Sequence, residues 1–462
     1  MQLVKFVSAF DFVILPFYLL FFYLIARRKQ KKMIETRPEY KYYTSGMMVR
    51  IFTGVFFSIF YYLYYEGGDM TDYFMGGFSL KNLMFYAPDK FLYAMTHGDE
   101  GLQILRFFDY SKGAPPFYMM DDPETFFVMR LITPFVFISF SSYIVTSVFT
   151  AWFAFLGIWK LFLVFYHYFP KYEKVLSFSI LFFPSVLFWG SGIMKDPITL
   201  AGAGWYTYAV YMIFIKKEKI FKNILGLVFG IFLIMSTKPF VIIALMPGSL
   251  IWLMFYKMKS IENKIIRFLL TPVLILGFFW LGSTLMSSLS ESLGEYGSLE
   301  GTLEKAAITQ QDLLREEAYG SNSYNIGTFE PTLQGVAPKI PASIMAGLFR
   351  PYLWEANNFL MIISGLENTL LILMVLYCFF RVGIFRFFSI IFDEPLLIFS
   401  FVFSLFFSFS IGLATANFGA LVRYKIPLLP FFVAMLFVTI NKVREAHKLK
   451  KADKEAQKNS VN

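Results

Sequence analysis

The chain has 462 residues, of which 57% are hydrophobic, 21% aromatic and only 16% charged, with a net charge of +10. The charged fraction is well below the roughly 25% of an ordinary soluble domain, which excludes a disordered chain, a nucleic-acid-binding domain and a typical cytosolic enzyme. Apolar runs of about 20 residues, the length that crosses a bilayer as an α-helix, recur along the chain. The sequence therefore predicts an all-α, polytopic transmembrane helical bundle.

The N-terminal region predicts a membrane anchor with an external N-terminus. Residues 10–25 are apolar, Lys5 is the one base before them, and no small-residue cleavage site of a signal peptide follows. A basic cluster comes next and consists of Arg27, Arg28, Lys29, Lys31 and Lys32. Because basic residues are retained in the cytoplasm, the end of this first span is expected to face the cytoplasm.

Hydropathy predicts about eleven spans in the whole chain. Their ranges, in chain order, are about 8–26, 48–65, 142–166, 176–193, 197–215, 223–237, 240–256, 268–287, 356–380, 396–415 and 426–441. Bases prevail in the connections on one side, and acids prevail in the two long connections on the other, about 66–141 and 288–355. The positive-inside rule then predicts one transmembrane domain, residues 1–441, with the long connections outside and a basic cytoplasmic tail, residues 442–462.

Three segments of the long connections depart from the span pattern. Residues 126–141 are apolar but too short to cross a bilayer alone, and they contain Arg130 and Pro134. They predict an interfacial or re-entrant helix on the outer side. Residues 300–317 predict a surface helix, and the Gly-, Ser-, Asn- and Pro-containing stretch 319–341 predicts a flexible loop.

Several bases break the orientation rule, because the map places them at the outer ends of spans. They are Lys195, Lys238, Arg350, Arg423 and Lys425, the first of them followed directly by Asp196. Charges near the hydrocarbon boundary are costly unless they are paired or hydrated, and prolines close to each of them break the helices there. Together these side chains would form an anion-binding floor suited to phosphate. Each one taken alone is better explained by snorkelling or by pairing with a local acid such as Asp196.

An acidic motif follows the second span, in the order Glu66-Gly-Gly-Asp69-Met-Thr-Asp72. A helix that starts there would place Asp69 and Asp72 on one face, and the two glycines would allow a tight turn before it. A carboxylate opposite a cationic floor suits a general base that activates an acceptor hydroxyl. The same pair could instead bind a divalent metal, cap a helix or face water.

The remaining chemistry-bearing residues give weaker signals. Glu367 lies near the middle of a predicted span and is expected to face the bundle interior, paired with a cation or a hydroxyl. The single cysteine, Cys378, lies in an apolar run and excludes a disulfide within the chain. The histidines (His97, His167 and His447) lack metal-ligand spacing. No Walker A loop, dinucleotide-binding glycine pattern or nucleophile elbow is present, so ATP-driven transport is not expected.

These motifs carry a resemblance to a known class of enzyme. The acidic Gly-Gly-Asp-Met-Thr-Asp-Tyr loop, the Phe183–Asp196 stretch and the Asn417–Pro430 stretch resemble the bacterial multi-span glycosyltransferases of the GT-C superfamily. That superfamily includes the protein mannosyltransferase and lipid A aminoarabinose transferase types. The chain resembles the O-antigen and exopolysaccharide polymerases about equally well. The likeness covers residues 50–430 and is a pattern rather than a tight signature.

The resemblance implies roles for the candidate residues. Asp69 matches the catalytic base of GT-C enzymes, with Asp72 as the second carboxylate. The implied holders of the donor phosphate are Lys195, Lys238, Arg350 and Arg423. The Asp-x-x-Asp spacing departs from the usual acidic pair of the family, and no large soluble C-terminal domain follows. In the polymerases external arginines are essential. On that reading Arg350 and Arg423 would be the main functional residues and Asp69 would have a secondary role.

The sequence thus predicts an integral-membrane glycosyltransferase of the bacterial cytoplasmic membrane, active in cell-surface glycan biosynthesis on the extracytoplasmic face. Its expected partners are a polyprenyl-phosphate-linked sugar donor, a glycan, lipid or protein acceptor, and membrane lipid, but no nucleic acid. A divalent metal is left open, as are the sugar and the oligomeric state. The alternatives are a polysaccharide polymerase and a non-enzymatic flippase or membrane assembly component. A flippase should show repeated halves and charges at mid-membrane, whereas this sequence shows no inverted repeat and its charges cluster at the outer face.

Overall fold

The computed structural model of the chain describes residues 6–259, 298–315 and 322–461. Within these ranges the chain is helical and no residue belongs to a β-strand, which confirms the predicted all-α fold. The helices, numbered along the described residues, are α1 (Ala9–Met33), α2 (Tyr43–Tyr65), α3 (Asp69–Tyr86), α4 (Pro88–Thr96), α5 (Gly101–Ile104), α6 (Phe117–Met120), α7 (Pro123–Ile138), α8 (Tyr143–Tyr168), α9 (Glu173–Leu181), α10 (Pro184–Phe188), α11 (Lys195–Val210), α12 (Ile220–Met235), α13 (Phe240–Met258), α14 (Leu299–Leu313), α15 (Leu333–Val336), α16 (Ile340–Phe349), α17 (Phe359–Tyr377), α18 (Ile384–Asp393), α19 (Pro395–Ala414), α20 (Phe418–Tyr424) and α21 (Leu429–Val461).

Long apolar helices give the chain the character of a multi-pass membrane protein. Seven helical stretches among the described residues are long and apolar enough to cross a membrane: Ala9–Met33, Pro38–Tyr65, Tyr143–Tyr168, Lys195–Lys216, Phe240–Met258, Phe359–Val382 and Pro395–Ala414. The pair α20 and α21 passes the same test as one span bent by 65°, which gives up to eight. The predicted count of about 11 spans is therefore not confirmed.

Three of the other predicted spans differ from this set. Residues 223–237 coincide with α12, whose 16 residues rise only about 24 Å, less than the roughly 30 Å hydrocarbon core. Residues 268–287 lie outside the described residues. Residues 176–193 are not one continuous helix, because the backbone breaks between α9 and α10.

The break has a clear physical cause in Pro184 and Arg50. Pro184 lacks an N–H and begins α10, so the helix of α9 cannot run through it. The guanidinium of Arg50, fully buried on α2, donates through Nη1 to the carbonyl oxygens of Val186 (3.3 Å) and Gly190 (2.6 Å). The buried cation thereby satisfies carbonyls at the end of α10, where the helical hydrogen bonds stop.

The chain divides into two compact units. The first unit comprises Met1–Val164 and Leu181–Ile242, and the second comprises Phe165–Ile180 and Ile243–Asn462. The predicted organisation as one transmembrane domain stays a prediction. The first predicted external connection is itself helical, since α3 packs along α7. α7 covers most of the segment predicted to be interfacial or re-entrant, and that placement also stays a prediction.

Glycines allow the helices of the first unit to approach closely. A Cβ atom on Gly204 of α11 would lie 2.1 Å from the carbonyl oxygen of Gly157 on α8. A Cβ atom on Gly230 of α12 would lie 2.8 Å from the backbone nitrogen of Tyr206 on α11. Small residues at such positions are the usual way for membrane helices to gain packing contacts. They hold α11 between α8 and α12.

Charge is segregated to the two ends of the first unit. The beginnings of α3, α7 and α11 carry carboxylates at one end. The opposite end carries a basic cluster centred on Lys160. The four other cations of the cluster lie within electrostatic range of Lys160 and are Lys29, Arg37, Lys219 and Lys222. The helical stretch Lys195–Lys216 joins the two ends, and its 22 residues span about 33 Å.

The second unit uses the same device of close helix packing. α16 lies along α19. A Cβ atom on Gly347 would lie 2.1 Å from the carbonyl oxygen of Ser408, and one on Gly412 would lie 1.9 Å from that of Ser343. Most of the predicted surface helix 300–317 is helical, as α14, which ends at Leu313; residues 316 and 317 lie outside the described residues. Its Leu303 belongs to a small apolar cluster with Val336 and Leu413.

Candidate functional site

The acidic motif forms a sharp reversal that starts α3. Glu66, Gly67 and Gly68 all have positive φ, at 55°, 130° and 112°, a backbone region that glycine adopts without strain. Gly68 also sits where a Cβ atom would lie 3.4 Å from the hydroxyl oxygen of Tyr61. The tight turn expected from the two glycines is confirmed, and α3 begins directly at Asp69.

Asp69 and Asp72 occupy the first turn of α3, where the helix dipole favours negative charge. Both carboxylates are partly buried. The hydroxyl of Tyr118 in α6 donates a hydrogen bond to Oδ2 of Asp72. Burial raises the pKa of Asp72; the bond from Tyr118 opposes that rise, and the charge of Asp69 adds to it. Asp72 therefore holds a proton more readily than an exposed aspartate does.

A third carboxylate, Asp122, lies four residues beyond Tyr118 and binds Lys195. Nζ of Lys195 is 2.6 Å from Oδ2 of Asp122 and 3.9 Å from Oε2 of Glu124. Asp122 is also the N-cap of α7, where its Oδ1 accepts a hydrogen bond of 3.1 Å from the Glu124 N–H. Burial acts to raise the pKa of Asp122, but hydrogen bonds and the charge of Lys195 outweigh it and the net pKa is lowered.

A buried ion pair lies next in the chain. Nζ of Lys238 is 2.5 Å from Oδ1 of Asp196, and the two residues are 5% and 0% exposed. The hydroxyls of Thr199 and Thr237 meet at 2.8 Å beside the pair. These contacts tie the start of α11 to the turn between α12 and α13. Because both charges have left water, each needs the other, and Lys238 presents little surface to a ligand.

The first unit thus holds five of the predicted site residues, Asp69, Asp72, Lys195, Asp196 and Lys238. Their contacts form neighbouring sets connected along the chain, and these sets together are called the polar network. Residues 118–122 link the two halves, since they contact Asp72 at one end and Lys195 at the other. The first three side chains face a partly exposed surface, whereas the pair of Asp196 and Lys238 closes the network toward the interior.

Sequence reasoning missed Tyr118, Asp122 and Glu124. The signal for the latter two was present, because Asp122-Pro123-Glu124 carries a capping aspartate, a proline at the first helical position and an acid in the first turn. That pattern predicts a helix start but says nothing about Lys195, which lies 73 residues away along the chain. Tyr118 had no signal, since its partner Asp72 is 46 residues away.

The second unit holds another polar cluster, around Arg350. Its guanidinium contacts Glu355, with Nε 3.0 Å from Oε1, and lies 4.9 Å from the ring centroid of Tyr324. Tyr324 is buried, and its hydroxyl meets that of Thr415 at 2.9 Å. A carboxylate on one side and an aromatic face on the other fix the plane of the guanidinium. The remaining donors of Arg350 are held in a defined direction.

Lys425 extends this cluster into α17. Its Nζ donates to the backbone oxygen of Arg350 and to Oδ1 of Asn368, both at 2.8 Å, and the residue is 2% exposed. Asn368 in turn donates to the carbonyl oxygen of Pro351 at 2.9 Å. Glu367 lies within electrostatic range of Lys425, as expected of a carboxylate in that predicted span. Lys425 therefore acts as a bridge between three segments.

Arg423 lies two residues before Lys425, in the last turn of α20. Asn417 caps that helix by accepting hydrogen bonds from the backbone of Gly419 (2.8 Å) and Ala420 (3.2 Å). The helix then bends by 65° into α21. Arg423 is partly buried at this bend.

The predicted site residues fall into two groups, one in each unit. The first group is Asp69, Asp72, Lys195, Asp196 and Lys238, and the second is Arg350, Arg423 and Lys425. Their convergence into one cavity stays a prediction, as do their roles in catalysis and phosphate binding. Among the described residues no group of three or more His, Cys, Asp or Glu side chains could hold a metal ion.

Comparison with protein families, with curated proteins and with solved structures found no match for this chain. The resemblance to membrane glycosyltransferases and polymerases accordingly rests on the sequence motifs.

Proposed function

We propose that the chain is an integral-membrane glycosyltransferase that uses a polyprenyl-phosphate-linked sugar as donor. One observation carries the proposal. The carboxylate of Asp72 and the ammonium group of Lys195 both contact the short segment 118–122, through Tyr118 and Asp122, and Asp69 lies within electrostatic range of Asp72. A base and a cation held by one short segment suit transfer from a sugar phosphate.

The proposed step assigns each group a task. Asp69, or Asp72 in its place, takes the proton of the acceptor hydroxyl while the acceptor oxygen bonds to the anomeric carbon of the sugar. The bond between that carbon and the phosphate oxygen breaks, and polyprenyl phosphate leaves with the electron pair. Lys195 is 18% exposed at its side chain and would stabilise the charge that builds on the leaving oxygen. Asp122 orients Lys195 for this task.

The proposed setting is the extracytoplasmic face of the bacterial cytoplasmic membrane. It is supported by the basic cluster at the opposite end of the first unit, because the positive-inside rule assigns such an end to the cytoplasm. The acidic end would then face outward, with the N-terminus outside and the C-terminus inside. The donor's lipid tail would lie along the apolar helices, and a glycan, lipid or protein would be the acceptor.

A second candidate, a polysaccharide polymerase, is favoured by the cluster in the second unit. Arg350 is held between Glu355 and Tyr324, an arrangement that directs a guanidinium at an anionic ligand. In this case Arg350 and Arg423 would bind the diphosphate of a lipid-linked oligosaccharide. Asp69 would then have a secondary part.

The test compares single variants in cells that depend on this chain for their surface glycan. Asp69→Asn, Asp72→Asn, Lys195→Met and Arg423→Ala are each expressed in place of the wild type, with Asp89→Asn as a matched control. Asp89 is an exposed aspartate in the first turn of α4 and lies outside the network. We expect Lys195→Met, and the variant of whichever aspartate acts as the base, to lose surface glycan at least a hundredfold, which corresponds to roughly 3 kcal/mol of transition-state stabilisation.

The lipid fraction separates the two candidates. A transferase variant should accumulate unused monosaccharide donor, whereas a polymerase variant should accumulate single oligosaccharide units on the lipid. Normal glycan in Asp69→Asn, Asp72→Asn and Arg423→Ala alike, at wild-type expression, would remove both enzyme hypotheses. A flippase or an assembly component would then be the better explanation.

A further inference from the structure

We propose that the basic cluster of the first unit is a binding site for a phospholipid with an anionic phosphate headgroup. The cluster lies at the end of the unit opposite the acidic network, so the proposal is independent of the glycosyltransferase assignment. Five cations from four segments lie within electrostatic range there: Lys29 of α1, Arg37, Lys160 of α8, and Lys219 and Lys222 at the start of α12.

The geometry of Lys160 is the first argument. It lies inside a helix long and apolar enough to span a membrane, and its Nζ is 4.0 Å from the ring centroid of Tyr208 and 5.3 Å from that of Trp205. Among the described residues no carboxylate lies within ion-pair distance of Lys160. An ammonium group on an aromatic floor in apolar surroundings needs an anion to offset its charge.

The neighbouring charges strengthen that need. The cations that act electrostatically on Lys160 are Lys222, Lys29, Arg37 and Lys219. Two acids lie nearby, because Glu39 and Glu218 both act on Tyr208. Glu39 is engaged with Arg37, whose Nε lies 2.8 Å from Oε1 of Glu39. Five cations therefore face two carboxylates, and an excess of positive charge remains for a ligand.

The surroundings favour a lipid over a soluble anion. The outer face of α12 is apolar and exposed directly next to Lys219 and Lys222. Its exposed side chains include Ile220, Phe221, Ile224, Leu225 and Val228. Phe221 alone is 77% exposed. A headgroup phosphate on the cations would place its acyl chains along this face, which combines electrostatic attraction with apolar burial.

The experiment uses the full-length chain purified in a mild detergent. Thermal unfolding and native mass spectrometry are recorded with added phosphatidylglycerol, with phosphatidylcholine, and with inorganic pyrophosphate. We expect phosphatidylglycerol to raise the unfolding temperature and to stay bound in the mass spectrometer, whereas phosphatidylcholine and pyrophosphate do neither. An equal shift with pyrophosphate would overturn the assignment to a lipid, and an equal shift with phosphatidylcholine would overturn the role of charge.

Matched variants locate the site. Lys160→Met keeps the apolar stem and removes the charge, and each lost cation should weaken phosphatidylglycerol binding about fivefold. The control is Lys90→Met at α4, because Nζ of Lys90 also lies against a ring, 5.6 Å from the centroid of Phe107. If Lys160→Met fails to fold, exposed Lys222→Gln gives the same reading. Wild-type affinity in Lys160→Met or Lys222→Gln would overturn the proposal.

Discussion

At the scale of single residues, Tyr118 offers a way to decide which carboxylate acts as the base. Its hydrogen bond stabilises the charged form of Asp72, so Tyr118→Phe should raise the pKa of Asp72 beyond the rise that burial already causes. A base must be deprotonated, so activity is lost as the pH falls through that pKa. If Asp72 is the base, we expect the acid limb of the pH–rate profile to move to higher pH in Tyr118→Phe, measured in proteoliposomes with a lipid-linked sugar.

The companion variant moves the profile the other way. Asp69→Asn removes a like charge that raises the pKa of Asp72, so with Asp72 as base the acid limb should shift to lower pH. With Asp69 as base, Asp69→Asn should be inactive at every pH. Tyr110→Phe is the control, since Tyr110 is 70% exposed on the same connection. An unchanged acid limb in Tyr118→Phe would exclude Asp72 as the titrating base.

Asp122 combines two functions that substitutions can separate. Asp122→Asn keeps an oxygen to cap α7 but loses the charge opposite Lys195, whereas Asp122→Ala loses both. The lost cap is worth about 1 kcal/mol. The ion pair adds less than that, because the Asp122 side chain is 39% exposed. We expect Asp122→Ala to lower the free energy of unfolding by about 1 kcal/mol more than Asp122→Asn, measured by chemical denaturation in detergent.

The pH dependence of stability provides the check on Asp122. Its folded-state pKa is lowered, so its contribution to stability is complete above the ordinary pKa and is lost as the pH falls toward the folded value. Acidification should therefore destabilise the wild type more than Asp122→Asn. Equal acid sensitivity of the two proteins would contradict the pairing of Asp122 with Lys195.

At the scale of helices, the contact between α11 and α12 gives the sharpest stability prediction. Gly202→Ala would bring a Cβ atom to 2.9 Å from Ile234, and Gly230→Ala would bring one to 2.8 Å from the backbone of Tyr206. Overpacking of this kind typically costs about 1–3 kcal/mol. Gly226→Ala is the control, because Gly226 lies on α12 with Gly230 and its Cβ would rest 3.7 Å from the ring of Trp205.

Alanine favours a helix over glycine by about 0.5–1 kcal/mol, so Gly226→Ala should be neutral or stabilising. Thermal unfolding in detergent should therefore rank Gly226→Ala at or above the wild type and Gly230→Ala below it. If the two variants unfold at the same temperature, α11 and α12 do not pack as closely as described.

The helices also show what sequence could and could not predict. Hydropathy located α1, α2, α8 and α19 to within several residues, because a long apolar run has one satisfactory conformation in a bilayer. It failed at residues 176–193, where Pro184 ends the helix and Arg50, more than 130 residues earlier in sequence, supplies donors to the freed carbonyls. Local composition carries no information about such a partner.

The candidate site follows the same rule. Asp69, Asp72 and the turn before them were predictable, since a Gly-Gly-Asp motif encodes a reversal and a helix start locally. The partners Tyr118 and Asp122 were not, because they meet their targets only after α3, α7 and α11 have packed. From the sequence, pairing with Asp196 was one ordinary explanation of Lys238. That contact is present in the structure.

At the scale of the whole molecule, the segregation of charge predicts an orientation that labelling can test. Cys378 is fully buried, and Cys378→Ser yields a chain without cysteine. In that background, Ser111→Cys places an exposed thiol in the first predicted external connection, and Lys216→Cys places one at the end of the stretch Lys195–Lys216. If the basic end faces the cytoplasm, a membrane-impermeant maleimide should label Ser111→Cys in intact cells and Lys216→Cys only after permeabilisation.

A second pair of positions extends the same test to the second unit. The span map puts Thr328 outside and Arg381 inside, and both are exposed. Thr328→Cys should therefore label in intact cells, and Arg381→Cys should require permeabilisation. Labelling of Lys216→Cys in intact cells would invert the first unit and move the network of Asp69, Asp72 and Lys195 to the cytosolic face. The donor would then have to be presented in the cytoplasm, where nucleotide sugars are available, and a lipid-linked sugar would no longer be the expected substrate.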